Sequence, residues 1–259
     1  MSRVARVKSS TKVYHVILRG NGKQDIFLDD EDKGKFLKEI KNTKEKYGYE
    51  LYSYCLLTNH VHLVMFDKEE NLSKIMQSLA VTYSSYFSKK YEKVGHLFQN
   101  RFLSKPVETR EYLMQVCRYI HQNPVKAGIS KVDDYKWSSY KEYIGEEKVV
   151  STKIVLSLFG NSKEEAIDNF RKFHNDNKED INDEYEYEIV TKFTDEKAKT
   201  KIKEILKMEK LKEINNFNVK LRNEKIRKLR KLKGVSMAQM ARLFEIDKKV
   251  IEKLMKGGE

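Results

Sequence analysis

A chain of 259 residues, 39% hydrophobic and 11% aromatic, has apolar material for one substantial domain and a smaller one, which excludes wholesale disorder. Its two cysteines, Cys55 and Cys117, form no CxxC pair, which argues against a disulfide framework or a cysteine-built zinc site and for two reduced, buried thiols. The formal net charge of +13 is uneven: residues 1–145 carry +8, residues 146–196 carry −7 and residues 197–256 carry +13, so two basic blocks suited to a polyanion flank an acidic one.

The opening MSRVARVKSS lacks the apolar run of a signal peptide, and no segment is long and apolar enough for a bilayer. A soluble, cytoplasmic protein is expected. Tyr14 to Leu18, rich in β-branched and aromatic residues and ending at Gly20-Asn21-Gly22, predicts a strand and turn. Asp29 or Asp30 caps a predicted helix to about Tyr47, with Phe36, Leu37, Ile40 and Tyr47 near helical spacing and Gly48 as its stop. Tyr49 to Leu57 and Val61 to Phe66 predict a hairpin through Thr58-Asn59. Asn71 caps a second helix to about Tyr91, Phe102 to Val107 is a fourth strand, and Thr109 caps a third helix from Arg110 to about Gln122, stopped by Pro124.

Strand, helix, strand, strand, helix, strand is the order of a ferredoxin-like split βαβ unit, an α+β architecture expected here to carry its helices on one face of an antiparallel sheet. The aromatic stretch around Trp137 is expected to pack back on it. Residues 146–196 read as an acidic connecting region with one or two helices and a flexible portion. From Thr194 a long lysine-rich helical stretch begins. Near the end, Ile226 to Leu232 reads as a helix closed by Gly234, Ser236-Met237-Ala238-Gln239 as a capping box and Asp247 as the cap of a last helix to about Lys256. This is the form of a helix-turn-helix, with Lys248, Lys249 and Lys253 as candidate DNA contacts.

The strongest local chemistry is Asn59-His60-Val61-His62. On a strand, His60 and His62 share a face, which makes them half of a metal site. Tyr119 and Asn123, one helical turn apart, are the candidates for the other half. An isolated HxH or tyrosine carries little weight, and spacing alone does not bring the two halves together.

Five blocks give the pattern a family likeness: YHVILRGN (14–21), YCLLTNHVHLVMF (54–66), GHLFQNRF (95–102), YLMQVCRYIHQNPVKAG (112–128) and WSSY (137–140). Together they resemble the single-tyrosine HUH transposases, most closely their REP-associated tyrosine transposase branch. The resemblance covers about residues 10–145 and implies a ferredoxin-like HUH domain over 1–145. It implies a divalent metal, Mg2+ or Mn2+, on His60 and His62, with Asn123 where relatives place an amide ligand that is often glutamine. It implies Tyr119 as the nucleophile, cutting single-stranded or hairpin DNA through a 5′-phosphotyrosine link and leaving a free 3′-OH. Arg19, Asn21, Gln99 and Arg101 are expected DNA contacts, although an anchoring role for Gln99 and Arg101 stands beside that reading. His15 is expected as a strand histidine packed beside the site rather than a ligand. The basic region 197–259 is expected to grip duplex DNA. The alternatives are a catalytically inactive DNA-binding regulator on the same scaffold and a replication-initiator nuclease. The general base for the tyrosine, the DNA target, and monomer against homodimer are left open.

Overall fold

Four strands form one antiparallel sheet: β1 (Val13–Arg19), β2 (Glu50–Leu56), β3 (His60–Phe66) and β4 (Leu103–Pro106), in the order β2-β3-β1-β4. Between them run α1 (Asp30–Tyr47), between β1 and β2, and α2 (Leu72–Tyr91), between β3 and β4. The computed structural model describes residues 6–145, 148–176, 193–232 and 234–256, divided between two compact units, residues 1–185 and 186–259.

Local sequence accounts for these boundaries. Asp29 accepts from the Asp32 backbone N–H while Asp32 reaches back to residue 29, a reciprocal cap at the start of α1, and Gly48 ends the helix in the left-handed region (φ 67°). Asn71, by contrast, makes no side-chain cap; its backbone carbonyl alone receives Lys74 and Ile75.

Alternation along the strands sorts the core. Arg19, Ile17 and His15 stand opposite His60, His62 and Val64 on β3 and therefore share their face. A bulge between Leu51 and Ser53 brings Ser53 and Cys55 to that same face, opposite Val64 and His62. The other set, including Val16, Leu18, Val61, Leu63 and Met65, is buried under the layer made by α1 and α2. The further helix α3 (Arg110–Lys126), whose face the sequence left open, packs on β2 and β3, on the histidine side. A histidine-bearing face with apolar neighbours needs a cover as much as the aliphatic face does.

Pro124 does not stop α3, which continues through it to Lys126. A proline here removes a single bond, the one to the Ile120 carbonyl, and only the last turn of the helix follows it. The end is closed instead by Gly128 (φ 66°), with Gly128 N–H donating to the Val125 carbonyl and Ile129 N–H to the Pro124 carbonyl, the paired bonds of a Schellman termination.

Residues 135–143 run back along β2: Leu56 N–H donates to the Trp137 carbonyl, Tyr54 N–H to Ser139 Oγ, and Tyr143 Oη to the Tyr52 carbonyl. They lead through α4 (Tyr140–Tyr143) and α5 (Lys153–Leu156) to α6 (Lys163–Asn175). Residues 148–176, which composition assigned to a connecting region, thus belong to the first core: Phe170 is fully buried and stacks on Tyr143 at 4.6 Å, a burial worth roughly 1.5–3 kcal/mol. The flexible portion expected beyond Asn175 falls largely in 177–192, outside the described residues.

In the second unit the expected long helix is broken. Thr194 caps α7 (Asp195–Leu206), which ends at a left-handed Lys207. A 3-10 turn over Leu211–Asn216 leads to α8 (Val219–Arg227), then a further 3-10 turn, Lys228–Lys231. Ser236 and Gln239 form the reciprocal cap of α9 (Met237–Phe244), and α10 (Lys248–Lys256) follows after three residues. Ile202, Ile214, Ile226, Leu229, Met240, Phe244 and Ile251 form this unit's own core.

Candidate active site

His60 and His62 are neighbours on the α3 side of β3, with ring centroids 4.9 Å apart. Each has its Nδ1 engaged from behind. His60 Nδ1 lies 2.6 Å from Asn59 Oδ1; the Asn59 amide nitrogen donates elsewhere, to the Lys23 carbonyl, so the oxygen can only accept and His60 carries its proton on Nδ1. That leaves the His60 Nε2 lone pair available. His62 Nδ1 lies 3.0 Å from His15 Nε2, the two rings stacked at 5.3 Å. Among the described residues no hydrogen bond occupies Nε2 of either strand histidine.

Burial keeps all three rings neutral. Desolvation pulls His60 down to about 4, with the nearby Arg19 charge adding to it. It pulls His15 down to about 3, helped by Lys105, its cross-strand partner on β4. His62 is depressed well below the ordinary imidazole range, first by burial and then by His60, His15 and Arg19. Neutral imidazoles at physiological pH are what metal ligation requires.

Tyr119 comes from α3 to meet this face. Its ring sits edge-on to His62 at 5.5 Å and to His15 at 6.1 Å, and Lys126, seven residues on, holds its ammonium 4.9 Å from the Tyr119 ring centre. Asn123 is buried one turn further along, its amide nitrogen donating 2.8 Å back to the Tyr119 carbonyl, an arrangement that turns the side chain onto its own helix. His121, two positions from Tyr119, points away from the strand pair, toward Ser53, Ser139 and His174.

The four proposed DNA contacts divide. Arg19 pairs across the sheet with His60, and its buried Nε has no hydrogen-bond partner. Gln99 donates its backbone N–H to the Arg19 carbonyl, 2.8 Å away, while its buried Oε1 is unpartnered. Asn21 is exposed, tied through its backbone to the Leu97 carbonyl. Arg101 is exposed and near enough to Arg6 for their charges to repel. The GHLFQNRF block therefore extends the β1 edge beside the histidines rather than forming a separate loop.

Sequence reasoning missed three groups: Asn59 as the partner that orients His60, Lys126 over the tyrosine, and the depth of the His15–His62 contact. The i, i+7 spacing of Tyr119 and Lys126 could have shown the second, since it returns a helix to nearly the same face after two turns.

Two neighbouring neutral imidazoles on one strand, 4.9 Å apart at their ring centres, are ligand types suited to a divalent cation. Among the described residues no group of three or more His, Cys, Asp or Glu side chains gathers to hold a metal.

The first unit is similar in sequence to known transposases. Residues 8–123 match the family model described as Transposase IS200 like. A Haemophilus influenzae protein named for the REP-associated tyrosine transposases is 28% identical over 119 residues, 41% of this chain and 67% of its own length. A solved structure of a REP-associated tyrosine transposase bound to a REP hairpin is similar at a TM-score of 0.49 and 16% identity, covering 56% of this chain and 87% of that one. A crystal structure from Deinococcus radiodurans, described as that of a transposase, covers 47% of this chain and 97% of its own at a TM-score of 0.33 and 18% identity. Residues 8–123 of the first unit are thus similar in sequence to the IS200-like transposases.

Proposed function

We propose that the first unit is a metal-dependent DNA strand transferase that cuts single-stranded DNA, presented as a hairpin, with Tyr119 as nucleophile. The observation that carries this reading is the meeting of the Tyr119 ring with His62 at 5.5 Å, the hydroxyl-bearing ring of α3 against the imidazole pair of β3. His60 and His62 would hold the cation through Nε2, and Asn123 would supply the amide oxygen once its side chain turns from the Tyr119 carbonyl. A bound Mg2+ or Mn2+ supplies charge stabilisation to a non-bridging oxygen of the scissile phosphate. Tyr119 attacks the phosphorus through its phenolic oxygen; the P–O bond to the 3′ oxygen breaks, giving a 5′-phosphotyrosine and a free 3′-OH. Reversal by a 3′-OH restores the phosphodiester without an external energy source.

A free phenol titrates near 10, so its proton must be drawn off. Lys126, over the Tyr119 ring, stabilises the phenolate electrostatically. Arg19, beside His60 with an unspent buried N–H, binds the phosphate, and Asn21, Gln99 and Arg101 line the approach. The Tyr119 ring is only 2% exposed, so in this reading α3 shifts when DNA binds. The α9–α10 pair of the second unit contacts duplex DNA through Lys248, Lys249 and Lys253 as a helix-turn-helix.

Labelled single-stranded hairpin DNA incubated with the protein and Mn2+ should yield an adduct that survives denaturation and disappears with Tyr119→Phe or chelator. No adduct from the wild-type chain across a panel of hairpins, with DNA binding intact, would instead favour the regulator that keeps the scaffold without the chemistry.

A further inference from the structure

His60 and His62 present the same atom outward but reach that state by different routes. For His60 the choice is made by Asn59, whose oxygen can only accept. For His62 it is made by another imidazole, His15, which has one N–H and one lone pair when neutral and can play either part. If His15 Nε2 carries the proton, it donates to His62 Nδ1; the proton of His62 then sits on Nε2 and blocks ligation. If His15 Nε2 carries the lone pair, His62 donates from Nδ1 and its Nε2 faces outward unprotonated. The His15 proton then lies on Nδ1, a buried atom without a partner. His15 itself is completely buried in the sheet, with β1 paired to β3 on one side and β4 on the other. Leaving a buried imidazole nitrogen unsatisfied carries a desolvation cost that an aliphatic side chain at this place would avoid.

We infer that His15 is a positioning residue for the metal centre: by accepting from His62 Nδ1–H through Nε2, it holds His62 in the tautomer whose Nε2 binds the cation. This rests on the metal reading proposed above and assigns to β1 a part that His60 receives from Asn59. The two strand ligands are thereby oriented separately, one by an amide in the hairpin turn and one by a ring in the sheet interior. Neither partner touches the cation.

The test uses the full chain and Mn2+ as the probe. Mn2+ affinity is measured by electron paramagnetic resonance of the free ion for wild type, His15→Leu and His15→Gln, while 15N-detected NMR of the metal-free proteins reads the His62 tautomer. Glutamine is the conservative variant because its Oε1 falls near the position of His Nε2 and can accept the same bond. The expected results are an Nδ1–H tautomer for His62 in wild type, a mixed or Nε2–H tautomer in His15→Leu with Mn2+ affinity lower by about 10–100-fold, and recovery of most of both in His15→Gln. Circular dichroism melts confirm that each variant is folded; should His15→Leu fail to fold, the wild-type tautomer and the His15→Gln affinity decide. An Nε2–H tautomer in wild type overturns the inference, as does an unchanged affinity in folded His15→Leu. A wild-type protein that binds no Mn2+ while showing the Nδ1–H tautomer sinks the metal reading itself, a distinguishable failure that removes the ligand this residue would orient.

Discussion

The first unit contains two buried histidine pairs of nearly the same geometry and opposite character. His15 and His62 meet at 3.0 Å between ring nitrogens, and so do His121 and His174. The second pair is saturated. His174 Nδ1 donates 2.9 Å to the Phe170 carbonyl, which leaves its Nε2 to accept from His121 Nδ1, and His121 Nε2 then accepts from Ser139 Oγ at 2.8 Å, with Ser53 Oγ at 3.1 Å. Every ring nitrogen has one role, and the chain ties α6 to α3 and to β2. The first pair ends in an unpartnered Nδ1 on His15 and an outward Nε2 on His62. Burial is common to both, so burial does not mark function; the accounting of hydrogen bonds does. The saturated cluster is a structural joint, and the unsaturated one is the side to which the proposed function assigns a ligand.

The largest effect should come from the unsaturated side. His62→Ala and His60→Ala are expected to lower the yield of the covalent DNA adduct by about two orders of magnitude or more, the scale of losing one stabiliser of transition-state charge. Their melting temperatures should fall less than that of the counterpart substitution in the saturated pair. Adduct formation undiminished in both variants would erase the distinction between the pairs.

That counterpart is His174→Leu. It strands the His121 Nδ1–H in a buried place, a cost of about 1–3 kcal/mol, which for a unit of this size corresponds to a fall in Tm of roughly 2–4 °C per kcal/mol. DNA cleavage assayed well below Tm should be nearly unchanged, because the network runs through Ser53, Ser139 and His174 and not through His62 or His15, the rings that meet Tyr119. A fall in adduct yield at full foldedness would mean that the α6 joint positions α3 for catalysis.

A smaller, shared effect should appear with pH. Burial holds His174 and His15 down to about 3 and His60 to about 4, whereas the unfolded chain titrates them near 6.5. As pH falls below about 6.5, the unfolded state takes up protons that the folded state refuses, and stability declines. Each histidine contributes up to about 1.4 kcal/mol per pH unit until its folded value is reached. Above pH 7 the contribution is flat. The metal-free protein should therefore melt at progressively lower temperature from pH 6.5 to pH 4. Bound Mn2+ should steepen the decline, since protons compete with it for His60 and His62 but not for the saturated pair. A flat Tm across that range would contradict the burial of these rings.

How much of this was legible beforehand follows from the range of the forces involved. The strands, α1, α2 and the start of α3 declared themselves through caps and periodicity, which act within a few residues: Asp29, Gly48 and Thr109 do what their neighbours suggest. The His60–His62 pair was legible because strand alternation is a local rule. What could not be read was long-range. Which face α3 covers depends on packing across the sheet, and the attachment of α6 was hidden by the net acidity of residues 146–196 as a block, although α6 itself carries three acidic and three basic residues. Yet Ala166, Phe170 and His174, each four residues apart, form the buried stripe that net charge obscured. Pro124 misled because the rule against internal proline weakens in a last turn closed by Gly128. Lys207 broke the expected long helix with no glycine or proline to announce it.

The smallest effect concerns the second unit, whose basic surface the pattern of charge predicts but whose contribution per residue is modest. In α10, Lys248 is 3.1 Å from Glu252, one turn away, both partly exposed. An exposed pair of this kind is worth little in stability, yet it subtracts from the charge presented to a polyanion. Replacing Lys248, Lys249 and Lys253 together by glutamine in the full chain should weaken binding to a hairpin stem. It should also lower the slope of log affinity against log salt by about 0.9 for each phosphate that is no longer neutralised. Cleavage at saturating DNA should be untouched. Glu252→Gln should act in reverse, tightening binding slightly at low salt by releasing Lys248. If the triple variant shows the wild-type salt slope, α10 does not meet phosphate, and the charge of the second unit serves its own solvation. The unsaturated pair of the first unit would then be the part of the molecule left to engage DNA.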